Sequence, residues 1–227
     1  MRIIVLLVMN LKSVLILFVL SLFLSNCQKE ETTLIDEQQD EAFTEDDVFK
    51  SLMLSITSHY AAFDDMIDKS SCFSIDFPYA CYVNGYYVEY QEEEDLYFLE
   101  EDDVIELVFP INLTFSNYDT ATITSAEALT TFRNQCATGA LYDQSVACID
   151  AVYPMTMALF HEDTSVFETV SIDNDREMFL YLQDLNWRSR ASMNYPVYVQ
   201  VNNGEFIQIL NNQEFKTVVQ DNIPLCK

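Results

Sequence analysis

This chain of 227 residues contains only three glycines. Two of them stand in Asn84-Gly85 and Asn203-Gly204, and Asn-Gly favours a tight hairpin turn because both residues accept positive φ. A phosphate-binding loop needs several glycines within one short segment. The two common nucleotide-binding motifs are therefore excluded.

Basic residues are also scarce, with 11 Lys and Arg against 37 Asp and Glu and a formal net charge of -26. A surface of this charge repels the phosphates of nucleic acids. The composition therefore excludes a nucleic-acid partner.

Histidine occurs only twice, as His59 and His161, and no Gly-x-Ser-x-Gly motif is present. His161-Glu162-Asp163 lacks the second histidine of a zinc-binding helix. Asp173-Asn174-Asp175 lacks the glycine and the glutamate of a calcium loop, so we interpret it as a helix cap. We predict no catalytic set, no metal and no cofactor. A pair of carboxylates for polymer hydrolysis stays open, because 37 acids offer many pairs.

One long apolar run is present, from Val14 to Leu24, and only Ser21 interrupts it. Arg2 and Lys12 precede this run, as in an export signal, and a spanning helix would need about 20 residues. We therefore predict a signal peptide at 1–26, with an uncleaved anchor as the alternative. Translation could begin at Met1 or at Met9.

The end of the apolar run, Leu24-Ser25-Asn26-Cys27, resembles the lipobox of bacterial lipoproteins. The next residues, Gln28-Lys29-Glu30-Glu31, resemble the tether of surface lipoproteins of the Bacteroidota. The resemblance implies that Cys27 is lipidated and that the protein is anchored in the outer membrane, facing the cell exterior. Two or more acyl chains give durable anchoring without any membrane span.

Acidic residues are concentrated in two blocks. Glu30 to Asp47 holds nine and no basic residue, and Glu92 to Asp103 holds eight. We predict that 27–43 is a disordered acidic tether and that the second block is solvated surface. Thr44-Glu45-Asp46-Asp47 resembles a capping box, and apolar steps of three and four residues then predict one amphipathic helix at about 45–68.

Four aromatic-proline pairs divide the remainder of the chain: Phe77-Pro78, Phe109-Pro110, Tyr153-Pro154 and Tyr195-Pro196. Strict alternation of apolar residues around each pair predicts a strand of about nine residues with one buried face. At the proline we expect either a bulge or a backbone nitrogen that points off the sheet edge. A turn, a second strand and a short helix follow each one. We therefore predict an α+β domain at 44–227, made of four ββα repeats whose helices cover antiparallel sheet. The repeats span about 72–100, 103–136, 148–186 and 189–226.

Five cysteines remain beside Cys27, and four of them fall at repeat boundaries. If the two halves are related by duplication, Cys136 pairs with Cys148 and Cys72 pairs with Cys226, as an exported protein permits. Cys81 occupies a buried strand position and is predicted to be a free thiol.

The segment around Trp187, Arg188 and Arg190 is the basic spot of the domain and a candidate contact for a partner. Packing of Trp187 against the helix ends is the alternative. As a whole, the chain resembles uncharacterised Bacteroidota lipoproteins with the same aromatic-proline strand repeat. We expect a lipid-anchored binding or accessory module for an unknown protein or glycan. The alternative is a lipid-anchored hydrolase that uses paired carboxylates.

Overall fold

The computed structural model describes residues 42–44, 46–185, 188–202 and 204–226. The predicted signal peptide, Cys27, nearly all of the predicted tether and Trp187 lie outside these ranges. The described residues belong to one compact unit that spans 37–227. They form a mixed α+β structure with four antiparallel three-stranded sheets and several helices, which confirms the predicted fold class.

Helices and strands alternate along the described chain. The α-helices are α1 (Asp47–Thr57), α2 (Asp65–Asp68), α3 (Ala126–Ala137), α4 (Asp175–Asp184) and α5 (Asn212–Asn222). Short 3₁₀-helices lie at Ala62–Asp64, Glu93–Phe98 and Ile223–Leu225. The strands are β1 (Phe73–Ile75), β2 (Tyr79–Val83), β3 (Tyr86–Tyr90), β4 (Ile105–Leu107), β5 (Ile111–Phe115), β6 (Thr120–Ile123), β7 (Ile149–Val152), β8 (Met155–His161), β9 (Val166–Ile172), β10 (Ser189–Met193), β11 (Val197–Val201) and β12 (Glu205–Ile209).

Each predicted nine-residue strand is divided in two at its aromatic-proline pair, so the prediction of one continuous strand is wrong. The peptide bond before each of these four prolines is cis. Residues before the pair and residues after it belong to different sheets. Proline lacks the N–H that a strand interior would need, which makes it suited to the point where the chain leaves a sheet.

The strands before the prolines are exchanged between neighbouring hairpins. Strand β1 pairs with β5, and β4 pairs with β2, so each of the first two hairpins receives its third strand from the other. The second half repeats this arrangement, since β7 pairs with β11 and β10 pairs with β8. The sheet orders are β1-β5-β6, β3-β2-β4, β10-β8-β9 and β12-β11-β7.

Two separate hydrophobic cores result from this exchange. The first core collects buried residues between Ile67 and Leu129, including Phe73 and Leu113, which are both fully buried. The second core collects residues of β7–β12, α4 and α5. Each core therefore belongs to one pair of exchanged hairpins, which we call the first half and the second half.

Helix α1 precedes the first half in sequence but contributes to the core of the second. Its residues Phe49, Met53 and Ile56 follow each other by four and three positions, so they form one apolar stripe. The Phe49 ring lies 4.9 Å from the Phe43 ring and 4.7 Å from the Phe215 ring of α5. Phe43 is fully buried, so packed structure begins before the predicted boundary at Thr44.

The predicted continuous helix at 45–68 is interrupted. Helix α1 ends at Thr57, and the chain then passes through Ala62–Asp64 into α2. Asp46 caps α1 by accepting from the Phe49 N–H at 3.0 Å. Thr44, the predicted cap, accepts instead from the backbone N–H of Ala191 in β10.

The turns and caps follow local sequence signals closely. Asn84 and Gly85 both have positive φ and close the two-residue hairpin between β2 and β3, as predicted. Asn174 caps α4 by accepting from the Glu177 N–H, which confirms the interpretation of 173–175 as a helix cap. The loop between β11 and β12 is three residues long, and its Asn203 lies outside the described residues.

The disulfide pairing differs from the prediction. Cys72 bonds to Cys136 and Cys148 bonds to Cys226, so each bridge lies within one half. The predicted pairs, Cys136 with Cys148 and Cys72 with Cys226, are wrong because strand exchange brings the start of each half beside its last helix. Cys81 is buried in β2 and forms no disulfide within the described chain.

Non-reducing peptide mapping is expected to recover two linked pairs, one with Cys72 and Cys136 and one with Cys148 and Cys226. Replacing Cys72 and Cys136 together by serine opens a link across a sequence separation of 64. The free energy of unfolding should fall by about 4 kcal/mol on the chain-entropy model. Urea denaturation measures this change.

The matched control is the double serine variant at Cys148 and Cys226, which removes the other bridge. Hydrogen exchange should rise mainly in β1–β6 for the first variant and mainly in β7–β12 for the second. A linked peptide that joins Cys136 to Cys148 would contradict the assignment.

Candidate functional site

The predicted basic spot is engaged with neighbouring acids. Arg188 Nη1 lies 3.3 Å from Asp163 Oδ2, and Arg190 Nε donates to Glu162 Oε1 at 3.1 Å. Both acids belong to the β8–β9 hairpin, so the two positive charges are balanced on the surface of the second half. Trp187 lies outside the described residues, and a partner contact at this spot stays a prediction.

His59 forms a short contact with a serine from the first half. Its Nε2 lies 2.7 Å from Ser74 Oγ, although 15 residues separate the two in sequence. Burial lowers the pKa of His59, although the nearby charge of Asp76 opposes the shift. Ser74 is only 2% exposed, so its hydroxyl faces the protein interior rather than a substrate. The pair therefore fixes the histidine ring in place instead of forming an open nucleophile site.

A cleft of about 380 Å³ lies beside this histidine. We call it the interhalf cleft, because its lining comes from both halves and from the segment that joins α1 to the first half. Its aromatic and titratable residues are His59, Tyr60, Phe63, Glu93, Tyr118, Asp150 and Asp175. No lysine or arginine is among the described residues that line it.

Tyr118 of the first half contacts α1 and α4 at this cleft. It lies in the β5–β6 turn with φ of 65°, which is rare for a bulky residue. Its hydroxyl donates to the Thr57 carbonyl at 2.9 Å, and its ring lies 5.5 Å from Phe179 of α4. These contacts from two different elements hold a backbone conformation that would otherwise be unfavourable.

Two carboxyl groups of the interhalf cleft are shifted towards their protonated forms. Burial raises the pKa of Asp150 in β7. Burial also raises the pKa of Asp175, with a smaller contribution from the charge of Asp150 and an opposing one from the Tyr153 hydroxyl, which donates to Asp175 at 2.8 Å. Carboxyls that retain protons more strongly than usual are suited to proton transfer or to binding polar groups.

A second concave surface lies on the first half, between β3 and the 3₁₀-helix at Glu93–Phe98. We call it the Phe98 groove, with a volume of about 340 Å³. Its lining residues are Val83, Val88, Glu89, Tyr90, Asp95, Phe98, Leu99 and Asp103. The Phe98 ring is 87% exposed, and neighbouring Tyr97 and Tyr86 are 72% and 77% exposed.

The Tyr90 side chain lines the Phe98 groove, and its surroundings disfavour ionisation of its hydroxyl. Its pKa is raised to about 12, first by burial, then by the Cys81 thiol and by the charges of Asp103 and Asp95. The groove therefore combines apolar lining residues with nearby negative charges. Large apolar side chains exposed beside a concave surface are typical of interaction sites.

Sequence reasoning assigned Glu92 to Asp103 to solvated surface and did not identify the groove. The available signal was the presence of two aromatic residues, Tyr97 and Phe98, inside a strongly acidic block. For the interhalf cleft no comparable signal exists, because His59, Tyr118 and Asp150 come from distant segments that only the tertiary structure brings together.

No family model, curated protein or solved structure matches this chain. Among the described residues, no helix has both the length and the apolar character that crossing a membrane requires.

The first core also contains two carboxyl groups one helical turn apart. Asp64 and Asp68 are 1% and 0% exposed. One oxygen of each accepts a backbone N–H, from Ile75 at 2.8 Å and from Ser70 at 2.9 Å. The other oxygens, and the hydroxyl of buried Tyr79, have no hydrogen-bond partner among the described residues.

Burial raises the pKa of both acids, and the charge of Asp64 raises that of Asp68 further, although Arg133 opposes this for Asp68. Asp65 and Glu93 also disfavour ionisation of Asp64. The folded protein therefore holds protons that the unfolded chain releases above the ordinary aspartate pKa of 3.8. Under this linkage, stability falls as the pH rises above that value.

Replacing Asp68 by asparagine keeps the acceptor for Ser70 N–H and removes the ionisable group. At pH 8 the variant should exceed the wild type in free energy of unfolding by about 2 kcal/mol. At about pH 3 the two proteins should be nearly equal, because the wild-type carboxyl is then protonated in both the folded and the unfolded chain. Urea denaturation across this range provides the measurement.

Glu101→Gln removes one exposed acid of the same half and is the control for general charge reduction. It should leave the pH dependence close to that of the wild type. Equal pH dependence in Asp68→Asn and in the wild type would show that the buried pair does not titrate as described.

Proposed function

We propose that this chain is a lipid-anchored outer-membrane lipoprotein that acts as a non-catalytic binding module at the cell surface. The anchor rests on the lipobox-like segment that ends at Cys27 and on the acidic residues after it. The observation that carries the binding role is the Phe98 groove, where the 87% exposed Phe98 lies beside the apolar residues Val83, Val88 and Leu99. Exposed aromatic anchors next to a groove are characteristic of protein contact sites.

The module, in this proposal, is built from four related ββα units. Each unit begins with a strand and a cis aromatic-proline pair, continues with a hairpin and ends in a helix. The last element of the first unit is the 3₁₀-helix at Glu93–Phe98, where the other units have α3, α4 and α5. This difference supports a specialised role for the first unit, because the shorter helix leaves the groove open beside β3.

Photo-crosslinking in intact native cells tests both parts of the proposal. A photoreactive phenylalanine analogue at position 98 should give a discrete adduct in the membrane fraction. The same analogue at Phe167, which is 79% exposed on the second half, is the matched control and should give little or none. Cys27→Ala should shift the protein to the soluble fraction, because the acyl anchor is lost.

Membrane retention of Cys27→Ala would contradict the lipid anchor. Equal adducts at positions 98 and 167 would contradict the Phe98 groove as the contact surface.

A hydrolase is the second candidate function, and one observation favours it. The interhalf cleft places Asp150 and Asp175, both with raised pKa, beside the rings of Tyr60, Phe63 and Tyr118. Hydrolysis of glycosides uses two carboxyls with different proton affinities, and aromatic rings serve as platforms for sugars. The candidate substrate class is therefore an extracellular polysaccharide.

This candidate predicts that the wild type releases reducing ends from surface polysaccharides and that Asp150→Asn with Asp175→Asn lowers the rate by about 100-fold or more. Asp184→Asn, at the exposed end of α4, is the control and should retain the full rate. Circular dichroism checks that each variant is folded. Equal release by the wild type and the double variant would eliminate catalysis in the cleft.

A further inference from the structure

The Phe98 groove is lined by both apolar and acidic side chains. Its lining includes Val83, Val88 and Leu99, which favour apolar atoms. The lining also includes Asp95 and Asp103, which carry carboxylates. With a volume of about 340 Å³, it can hold one or a few side chains of a partner rather than a folded domain.

Hydrogen bonds within the protein hold the carboxylates of Asp95 and Asp103 in place. Asp95 Oδ2 accepts from the Gln91 N–H at 2.8 Å, and Asp103 Oδ2 accepts from the Glu100 N–H at 2.9 Å. Asp103 Oδ1 also accepts from the Asn84 side chain at 2.6 Å. These hydrogen bonds fix the negative charges before any ligand arrives, so less ordering is needed on binding.

Among the described residues, no lysine or arginine forms an ion pair with a carboxylate of the groove. Between Lys69 and Arg133 the sequence contains 13 acidic residues and no lysine or arginine. The four ion pairs among the described residues all lie outside this segment. The negative electrostatic potential at the groove therefore favours the approach of a cation.

We infer that the Phe98 groove binds a lysine- or arginine-bearing segment of a partner protein. This inference rests on the proposed binding function and names the chemistry of the partner. Lysine and arginine carry an apolar stem and a charged head, so the stem can contact the apolar lining residues while the head contacts Asp95 and Asp103. The exposed face of Phe98 adds a cation–π contact.

Isothermal titration of the full-length protein in detergent with synthetic peptides tests the inference. The probe is a nine-residue peptide with three arginines among glycine and serine. The matched probes replace arginine by citrulline, which is neutral and of similar shape, or by glutamate. Only the arginine peptide should bind, and its affinity should fall several-fold when salt is raised to about 0.3 M.

Two groove variants should weaken this binding without disturbing the core. Phe98→Ala removes an 87% exposed ring and should raise the dissociation constant about five-fold. Glu89→Gln removes the charge of one lining residue and keeps an acceptor for the Gln91 side chain. It should raise the dissociation constant about three-fold. Phe167→Ala and Glu205→Gln, at exposed positions of the second half, are the matched controls and should change it by less than about two-fold.

Equal binding of the citrulline peptide, or an unchanged dissociation constant in Phe98→Ala, would overturn the inference. Dimerisation of the wild type that Phe98→Ala abolishes would also overturn it, because a second copy would then be the occupant. A position-98 adduct in cells together with no binding of the arginine peptide would refute the cationic partner while leaving the binding function intact. If position 98 gives no adduct in cells and the arginine peptide does not bind, both the binding function and the cationic partner are refuted.

Discussion

Each hairpin of this protein takes the third strand of its sheet from the neighbouring hairpin. Strand β1 stands before the first hairpin in sequence but pairs with β5 of the second, and β4 pairs in return with β2. A two-stranded hairpin alone is only marginally stable in water, so neither partner can form its sheet without the other. The pair of hairpins is therefore the smallest part of the structure in which every sheet is complete, and each pair has its own core. The two disulfides follow the same division, because each joins the first strand region of a half to its last helix.

The link between the halves also determines where a cleft can form. Helix α1 packs in the second core, although the residues that follow it, from Ala62 onward, lead into the first core. The connecting segment at 58–61 must therefore cross from one half to the other. His59 and Tyr60 lie on this crossing, and Tyr118 of the first half meets it through its hydrogen bond to Thr57. The interhalf cleft is thus a consequence of the position of α1.

Sequence patterns predicted which strand residues are buried better than they predicted which strands pair. Ile75, Cys81, Leu113 and Val199 lie on predicted buried faces and are all 1% exposed or less. The alternation continues across each proline, however, because the strands on both sides face the same core. The pattern therefore gave no sign that the chain changes sheets, and the disulfide pairing derived from it placed the bridges between the halves. Similarly, apolar steps continue beyond Thr57 without glycine or proline, so nothing local marked the end of α1.

Lysine and arginine are scarce in the first half, and this leaves a negative electrostatic potential both in its interior and at its surface. Inside, Arg133 donates to the Asp68 backbone carbonyl, and its charge opposes the rise in the pKa of the Asp68 carboxyl. Outside, Asp95 and Asp103 are fixed by backbone N–H groups, which satisfy hydrogen bonds without cancelling the net charge. Glu93 connects the two regions, since its charge raises the pKa of Asp64 and it begins the 3₁₀-helix Glu93–Phe98, which contributes Asp95 and Phe98 to the groove. A cation bound at the groove would reduce the negative potential in both places, so the charge pattern of the whole half favours a positively charged ligand.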